Sequence, residues 1–385
     1  MDAAVASRAT AKIAELAVAS DDLARFWRAC GDVLADTVPH FRSPCWFTLD
    51  PASLIMTSHF QSGLTEFPPE WAAQEYADDG DVHHLADVAR SRSGISTLHE
   101  ATGGRPETSA RWHSNMVYGG DQELMAALRA RDGRAWGVMS LYREPDRPAF
   151  APDELRFVRT VAPMLADGAR RGLLMGEARD PEGPGAPGLV VLDDRWCVES
   201  SSPEADRWLL DLPDGRWAAG RLPTAVLAVA GRAASITETP GTADRREVAV
   251  ARVLTRSGTW VVLHGVPLAA QGGRRVAVIV EPARPERIAP LLMAAYQLTR
   301  REQELTRLVL TGCSTAEIAA ALVISPHTVQ QHLKSVFDKT GVRSRRELVS
   351  SVFLAHYEPR LRDNERRTGE QRPMRGGPMP GTGRS

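Results

Sequence analysis

The side chains of this 385-residue chain that could do the most specific chemistry lie between Thr299 and Glu347. After Pro326, Val329, Leu333 and Val336 recur at helical spacing and require a buried face, which leaves Gln330, Gln331 and Lys334 on the outward face of that helix. A glutamine carboxamide can pair bidentately with adenine N6 and N7, and a lysine can donate to guanine O6 or N7. Ser325 and Thr328 stand at the start of the same helix, where hydroxyls and free backbone N–H groups suit a phosphate. Arg300, Arg301, Arg343, Arg345 and Arg346 sit at the ends of predicted elements, from which guanidinium groups clamp a phosphate backbone. The expected partner of such a set is double-stranded DNA. Charge agrees: the net charge is −1, yet residues 296–385 carry 15 Lys/Arg against 9 Asp/Glu, while residues 1–295 carry 32 against 39.

Elsewhere the residues exclude more than they suggest. Cys30, Cys45, Cys197 and Cys313 form no C-x-x-C or Cys/His pair and read as idle thiols. His83 and His84 follow Asp78, Asp79 and Asp81, but adjacent residues rarely ligate one ion and no third ligand is spaced for it, so no metal is expected. The lysines are Lys12, Lys334 and Lys339, which leaves the body without the lysine that a receiver pocket or a phosphate-binding G-x-x-x-x-G-K-[ST] loop needs. Neither a G-x-S-x-G elbow nor H-E-x-x-H occurs. The reading is a non-enzyme without a cofactor, and the role left for the body is sensing. Trp46, Tyr76, Trp112 and Trp136 are the candidate pocket for a small-molecule effector, with Trp196, Trp208, Trp217 and Trp260 further on; aromatics at such spacings also build ordinary cores. Composition is that of a soluble globular chain, 43% hydrophobic and 25% charged. No apolar run approaches the roughly 18 residues of a membrane span, and a charged N-terminus argues against a signal peptide. A cytoplasmic protein without membrane contact is expected.

The elements that would position these groups fall into three segments. Residues 1–175 read as α+β: a helix around Asp21–Val38, then strand-like runs at Cys45–Leu49, Leu54–Phe60, Glu123–Arg129 and Ala135–Tyr142. The segment ends in a helix opened by Pro152-Asp153-Glu154, with one apolar stripe for its own domain and a second, Phe157 and Val161, available to a twin; Pro163 should kink it. Residues 176–188 hold four Gly and three Pro and read as a linker. Residues 189–284 predict a small antiparallel sheet with helices on one side, and 285–295 a linker helix. Residues 296–357 predict four short helices, at about 300–311, 315–322, 326–340 and 345–355. Capping boxes at Thr299/Glu302, Ser314/Glu317 and Ser344/Glu347 start three of them, and Ser325-Pro326 starts the other. Only three residues, Val323-Ile324-Ser325, join the second to the third, a helix-turn-helix spacing. Residues 358–385 have little to bury and read as a disordered tail.

The runs Leu298–Glu302, Ser314–Leu322, Ile324–Val329, His332-Leu333 and Gly341–Leu348 closely resemble the LuxR-type (GerE-like) helix-turn-helix family. The resemblance implies that the third helix enters the major groove, that the positions of Gln330, Gln331 and Lys334 touch bases, and that the fourth helix serves a homodimer. Cys313 departs from the larger aliphatic residue usual there. The runs Ser96–Gly104 and Trp136–Arg143 give segment 1 a fainter resemblance to GAF-like sensors of actinobacterial regulators, and the order of elements makes segment 2 PAS-like. The expected fold class is therefore α+β and multi-domain, with a GAF-like N-terminal domain, a PAS-like middle domain and an all-α, four-helix LuxR-type end. The function this implies is a signal-controlled transcription regulator that works beside RNA polymerase. A sensor or adaptor acting through protein contacts, with a masked DNA-binding end, is the alternative.

Overall fold

The computed structural model describes residues 2–20, 22–63, 69–77, 81–174, 186–214, 217–238, 249–268, 273–283, 285–349 and 369. They fall into two compact units, one from residues up to 174, 187–256 and 261–281, the other from 257–260 and 282–349.

The first unit opens with α1 (Ala3–Ala19) and α2 (Leu23–Ala35). Each is started by an aspartate that accepts a first-turn N–H, Asp2 from Ala4 at 2.8 Å and Asp22 from Arg25 at 2.7 Å. There follow β1 (Phe41–Leu49), β2 (Met56–Phe60), α3 (Pro69–Ala77), α4 (Leu85–Arg90), β3 (Ile95–Thr97), α5 (Leu98–Ala101), α6 (Ala110–Met116), β4 (Gln122–Arg129), β5 (Ala135–Arg143) and α7 (Pro152–Leu174). The strands form one antiparallel sheet in the order β2-β1-β5-β4-β3. Strand alternation sends Trp46, Leu124, Met139 and Leu141 to a core shared with α1, α2 and α7, and Cys45, Phe47, Met125 and Val138 to a second core with α3 and α4.

Two expectations for this half are corrected. The second stripe of α7 does not wait for a twin: Phe157 and Val161 are buried in the same core as Ala9, Ile13 and Ala17 of α1 and Phe26 and Trp27 of α2. Helix α1, whose buried stripe is only those three small or branched residues, was not legible as the cover. The strand-like run from Leu54 begins instead at Met56, because Leu54 takes a left-handed φ of 58° at the turn and its N–H closes back on Asp50. Helix α7 continues through Pro163 to Leu174.

The second sheet is built from β6 (Gly188–Leu192), β7 (Val198–Ser201), α8 (Pro203–Asp211), α9 (Thr224–Glu238), β8 (Ala249–Leu254), β9 (Trp260–Leu268) and β10 (Arg275–Pro282). Its order, β7-β6-β10-β9-β8, repeats the first sheet's order position for position. Helix α9 is apolar all round, with Ala225 through Ala230 essentially inaccessible, as a helix covered on every side must be. It touches β8 of its own sheet and α3 and β2 of the other half. Gly231 permits this approach: a Cβ there would lie 2.0 Å from the Ala73 carbonyl oxygen. The two halves thus share one core, running from Phe47 and Trp71 through α9 to Leu263 and Val278. Carboxylates satisfy the adjoining sheet edges. Asp50 accepts the Arg252 backbone N–H at 2.9 Å and its guanidinium at 2.6 Å, and Asp214 accepts the His59 N–H of β2 at 2.8 Å. Most of the segment read as a linker, and all of the tail but Gly369, lie outside the described residues.

The second unit contains α10 (Pro285–Ala295), α11 (Arg300–Leu310), α12 (Thr315–Leu322), α13 (Pro326–Thr340) and α14 (Arg345–Val349). Both arms of the capping box are made at Thr299/Glu302 and at Ser314/Glu317. The third box is corrected: the Ser344 hydroxyl accepts the Glu347 N–H at 3.1 Å, but the Glu347 carboxylate accepts the Arg343 N–H at 2.5 Å and not that of Ser344.

Candidate nucleic-acid interface

Four helices fix the geometry of the candidate site. Leu305 and Val309 of α11, Ile318 and Ala319 of α12, Val329, Leu333 and Val336 of α13, and Leu348 of α14 are buried. Helix α13 packs on both α11 and α12. The turn between α12 and α13 is closed by Val323 in the left-handed region, φ 53°, and by the Ile324 N–H donating to the Ala319 carbonyl at 3.0 Å. Val323 is a β-branched residue in a conformation that favours glycine or asparagine, and its side chain is almost fully exposed.

A second, polar set of contacts locks α11 to its neighbours. The Glu302 carboxylate is buried and accepts hydrogen bonds from the Thr299 N–H at 2.7 Å, the Ser335 hydroxyl at 2.7 Å and the Lys339 ammonium at 2.6 Å. Burial alone would raise its pKa. The donors, led by Lys339 and Ser335, outweigh that effect and hold the carboxyl down to about 2. Lys339 therefore ties α13 to α11. Sequence reasoning gave it no role, because the i-to-j distance of 37 residues carries no local pattern.

With the bundle fixed in this way, Gln330, Gln331 and Lys334 are all exposed, on the face of α13 away from Val329, Leu333 and Val336. The Gln330 amide donates to the Thr315 hydroxyl of α12 at 3.4 Å, and the Gln331 amide meets the His327 Nε2 at 3.1 Å. Ser325 caps α13 by accepting the Thr328 N–H at 3.0 Å, and the two hydroxyls are hydrogen-bonded at 2.8 Å. Arg300 is exposed and pairs loosely with Glu304 at 3.3 Å, and Arg343 and Arg346 are exposed. Arg301 differs from Arg300: its guanidinium pairs with Glu304 at 3.0 Å and donates to the Leu322 carbonyl, so it caps the C-terminal end of α12. Arg345 is half-buried, with its Nε and Nη2 unpartnered among the described residues.

The four residues named as a candidate pocket are not brought together. Trp46 stacks on Trp27 at 4.4 Å in the core with α1 and α2. Tyr76 lies in the other core, its hydroxyl accepting the Met56 N–H at 2.8 Å and donating to the Leu54 carbonyl at 3.0 Å. Trp112 donates to Asp121 at 3.0 Å, and Trp136 is buried. A small surface cleft opens among Phe41, Cys45, Gln61, Asn115, Tyr118 and Tyr142, and includes none of the four. Beside it lies a buried charge cluster absent from the sequence reading. Arg111 pairs with Glu75 at 2.6 Å and with Glu123 at 2.6 Å, and Asn115 and Tyr142 also donate to Glu123. Burial raises the Glu123 carboxyl, but Arg111 more than cancels that and holds it at about 2. No single residue announces this cluster, since its members are spread over α3, α6, β4 and β5.

Comparison with known proteins bears on the helical end of the chain. Residues 296–352 match the family model described as bacterial regulatory proteins, luxR family. A putative HTH-type transcriptional regulator of Mycobacterium tuberculosis is 48% identical over 55 residues, 14% of this chain and 6% of that protein. One from Aeromonas salmonicida is 45% identical over 60 residues, 16% of this chain and 30% of its own length. The monoamine regulon transcriptional regulator of Klebsiella aerogenes is 44% identical over 57 residues, 15% of this chain and 25% of that protein. The chain thus spans less than a third of each of these relatives. Among solved structures, the VqmA dimer of Vibrio cholerae is 19% identical over 43% of this chain and 81% of that one, with a TM-score of 0.21. The E. coli DhaR(N)–DhaL complex is 14% identical over 74% of this chain and 91% of that one, with a TM-score of 0.22. At those scores neither fold nor function transfers. No described helix is long and apolar enough to cross a membrane. Residues 296–352, with the capped bundle α11–α14 at their centre, are a luxR-family helix-turn-helix domain.

Proposed function

We propose that this chain is a sequence-specific transcription regulator that binds double-stranded DNA through α13 and is governed by a signal received in the first unit. The observation that carries the reading is the two-faced α13: its apolar side is consumed by the bundle, and its other side offers Gln330, Gln331 and Lys334 to a groove inside a domain of the luxR family. Arg300, Arg343, Arg346, Ser325 and Thr328 supply phosphate contacts around it, and Arg345, whose Nε and Nη2 are inaccessible, adds to them only through Nη1. Arg301 contributes mainly by holding α12. The protein works as a homodimer at paired half-sites, beside RNA polymerase. GAF-like and PAS-like sensing is assigned to the two sheets of the first unit, which repeat one strand order. A small-molecule effector is the input.

The test is selection of duplex DNA from a random library by the full chain, followed by footprinting and binding over a salt series. The reading expects an enriched two-half-site sequence, a protected footprint and an affinity that falls steeply with salt. Failure to enrich any sequence, together with salt-independent retention of DNA, would remove it.

A further inference from the structure

The Gln330 amide does not project freely from α13. It donates to the Thr315 hydroxyl of α12, fifteen residues earlier in the chain, at 3.4 Å. Thr315 is itself held in place. It is the first residue of α12, directly after the Ser314 cap whose box with Glu317 is complete in both directions. Three and four residues on, Ile318 and Ala319 are buried in the bundle that also buries Val329 and Leu333. The hydroxyl is therefore a fixed point on one helix beside a flexible side chain on the next.

From this geometry we infer that Thr315 is a positioning residue for base recognition: it holds the Gln330 carboxamide in one rotamer, with its carbonyl oxygen and second N–H left for a purine edge. The inference rests on the DNA-reading function proposed above. A carboxamide with one N–H engaged still presents one acceptor and one donor, which is the pair that adenine N6 and N7 require. An exposed glutamine otherwise loses rotamer freedom when it binds, and ordering it in advance removes part of that loss. Thr315 would thus contribute to discrimination between sequences without touching a base.

The full chain is compared as wild type, Thr315→Val, Thr315→Ser, Gln330→Ala and the double variant Thr315→Val/Gln330→Ala. Each is titrated against the duplex selected by the wild type and against a scrambled duplex, with thermal unfolding as the folding check. Thr315→Val is expected to lower the ratio of selected to scrambled affinity about fivefold, the equivalent of one hydrogen bond. Scrambled binding should stay the same, Thr315→Ser should keep the ratio, and the loss should vanish in the Gln330→Ala background. An equal fall on both duplexes, or an undiminished loss without Gln330, would overturn the positioning role and leave the DNA-reading function standing. A wild-type protein that selects no sequence would overturn both.

Discussion

At the scale of single residues, the outward face of α13 and the ends of its neighbours have different duties, and mutation should separate them. Gln330→Ala and Lys334→Ala are each expected to cost about 1–3 kcal/mol at the selected site and little at random DNA. Arg300→Ala should weaken binding to all sequences alike and reduce the slope of log affinity against log salt by about 1; calorimetric or anisotropy titrations at several salt concentrations read both effects. Val323 makes a stability prediction of its own. Its left-handed backbone is strained for a β-branched side chain, so Val323→Asn should raise the unfolding free energy by about 1 kcal/mol in denaturant titration. The face of α13 was legible because Val329, Leu333 and Val336 mark the opposite side by period alone. Arg300 and Arg301 were not distinguishable in sequence: only the folded bundle puts the C-terminal carbonyl of α12 within reach of Arg301 and beyond Arg300.

Among the elements, polar ties and close backbone approaches do what periodicity cannot show. Glu302 joins α11 to α13, and its carboxyl is held at about 2 against an ordinary 4.5. A folded pKa below the unfolded one gives stability that is complete above about pH 4.5 and lost as pH falls toward 2. Glu302→Gln should flatten that acid limb of the helical domain and cost about 2 kcal/mol at neutral pH, measured by circular dichroism of urea unfolding. Gly231 makes the corresponding close contact in the first unit. With a Cβ placed 2.0 Å from the Ala73 carbonyl, Gly231→Ala should destabilise that unit by about 1–3 kcal/mol in the same assay. Capping boxes and the Ser-Pro start made the four C-terminal helices readable to within a residue or so over the described range, because caps are local chemistry. The seam between α3 and α9 was unreadable: an Ala- and Val-rich helix states that it is buried, and leaves its partner unnamed.

Considered as a whole molecule, the chain contains one unit with two sheets on one core and a helical unit with its own polar lock, and their acid responses should differ. Burial lowers the imidazoles of His59 and His83 in the first unit to about 4, from an ordinary 6.5. Kept neutral in the fold, they withdraw stability from the first unit as pH falls from 6.5 toward 4, while the Glu302 limb of the second unit starts only near 4.5. Tryptophan fluorescence reports mainly the first event, since Trp260 alone of the nine tryptophans belongs to the second unit and residues 296–385 contain none. Because the two sheets share α9 and the Asp50–Arg252 pair, their tryptophans should melt in one transition. Arg252→Ala, which strands a buried carboxylate, should lower that transition by about 3–5 kcal/mol without splitting it. Alternation and turn chemistry made the longer strands legible but not the short edge strands β3 and β7, whose three and four residues are too few to show a period, and the repeated order of the sheets emerged only from their pairing. The central claim, that α13 reads DNA sequence in the living cell, is tested most directly by mapping genome-wide occupancy of the full chain beside its Gln330→Ala/Lys334→Ala variant at equal expression. Discrete wild-type sites that share a two-half-site sequence and vanish in the variant are the expected result; occupancy that is absent from both, or identical in both, would contradict it.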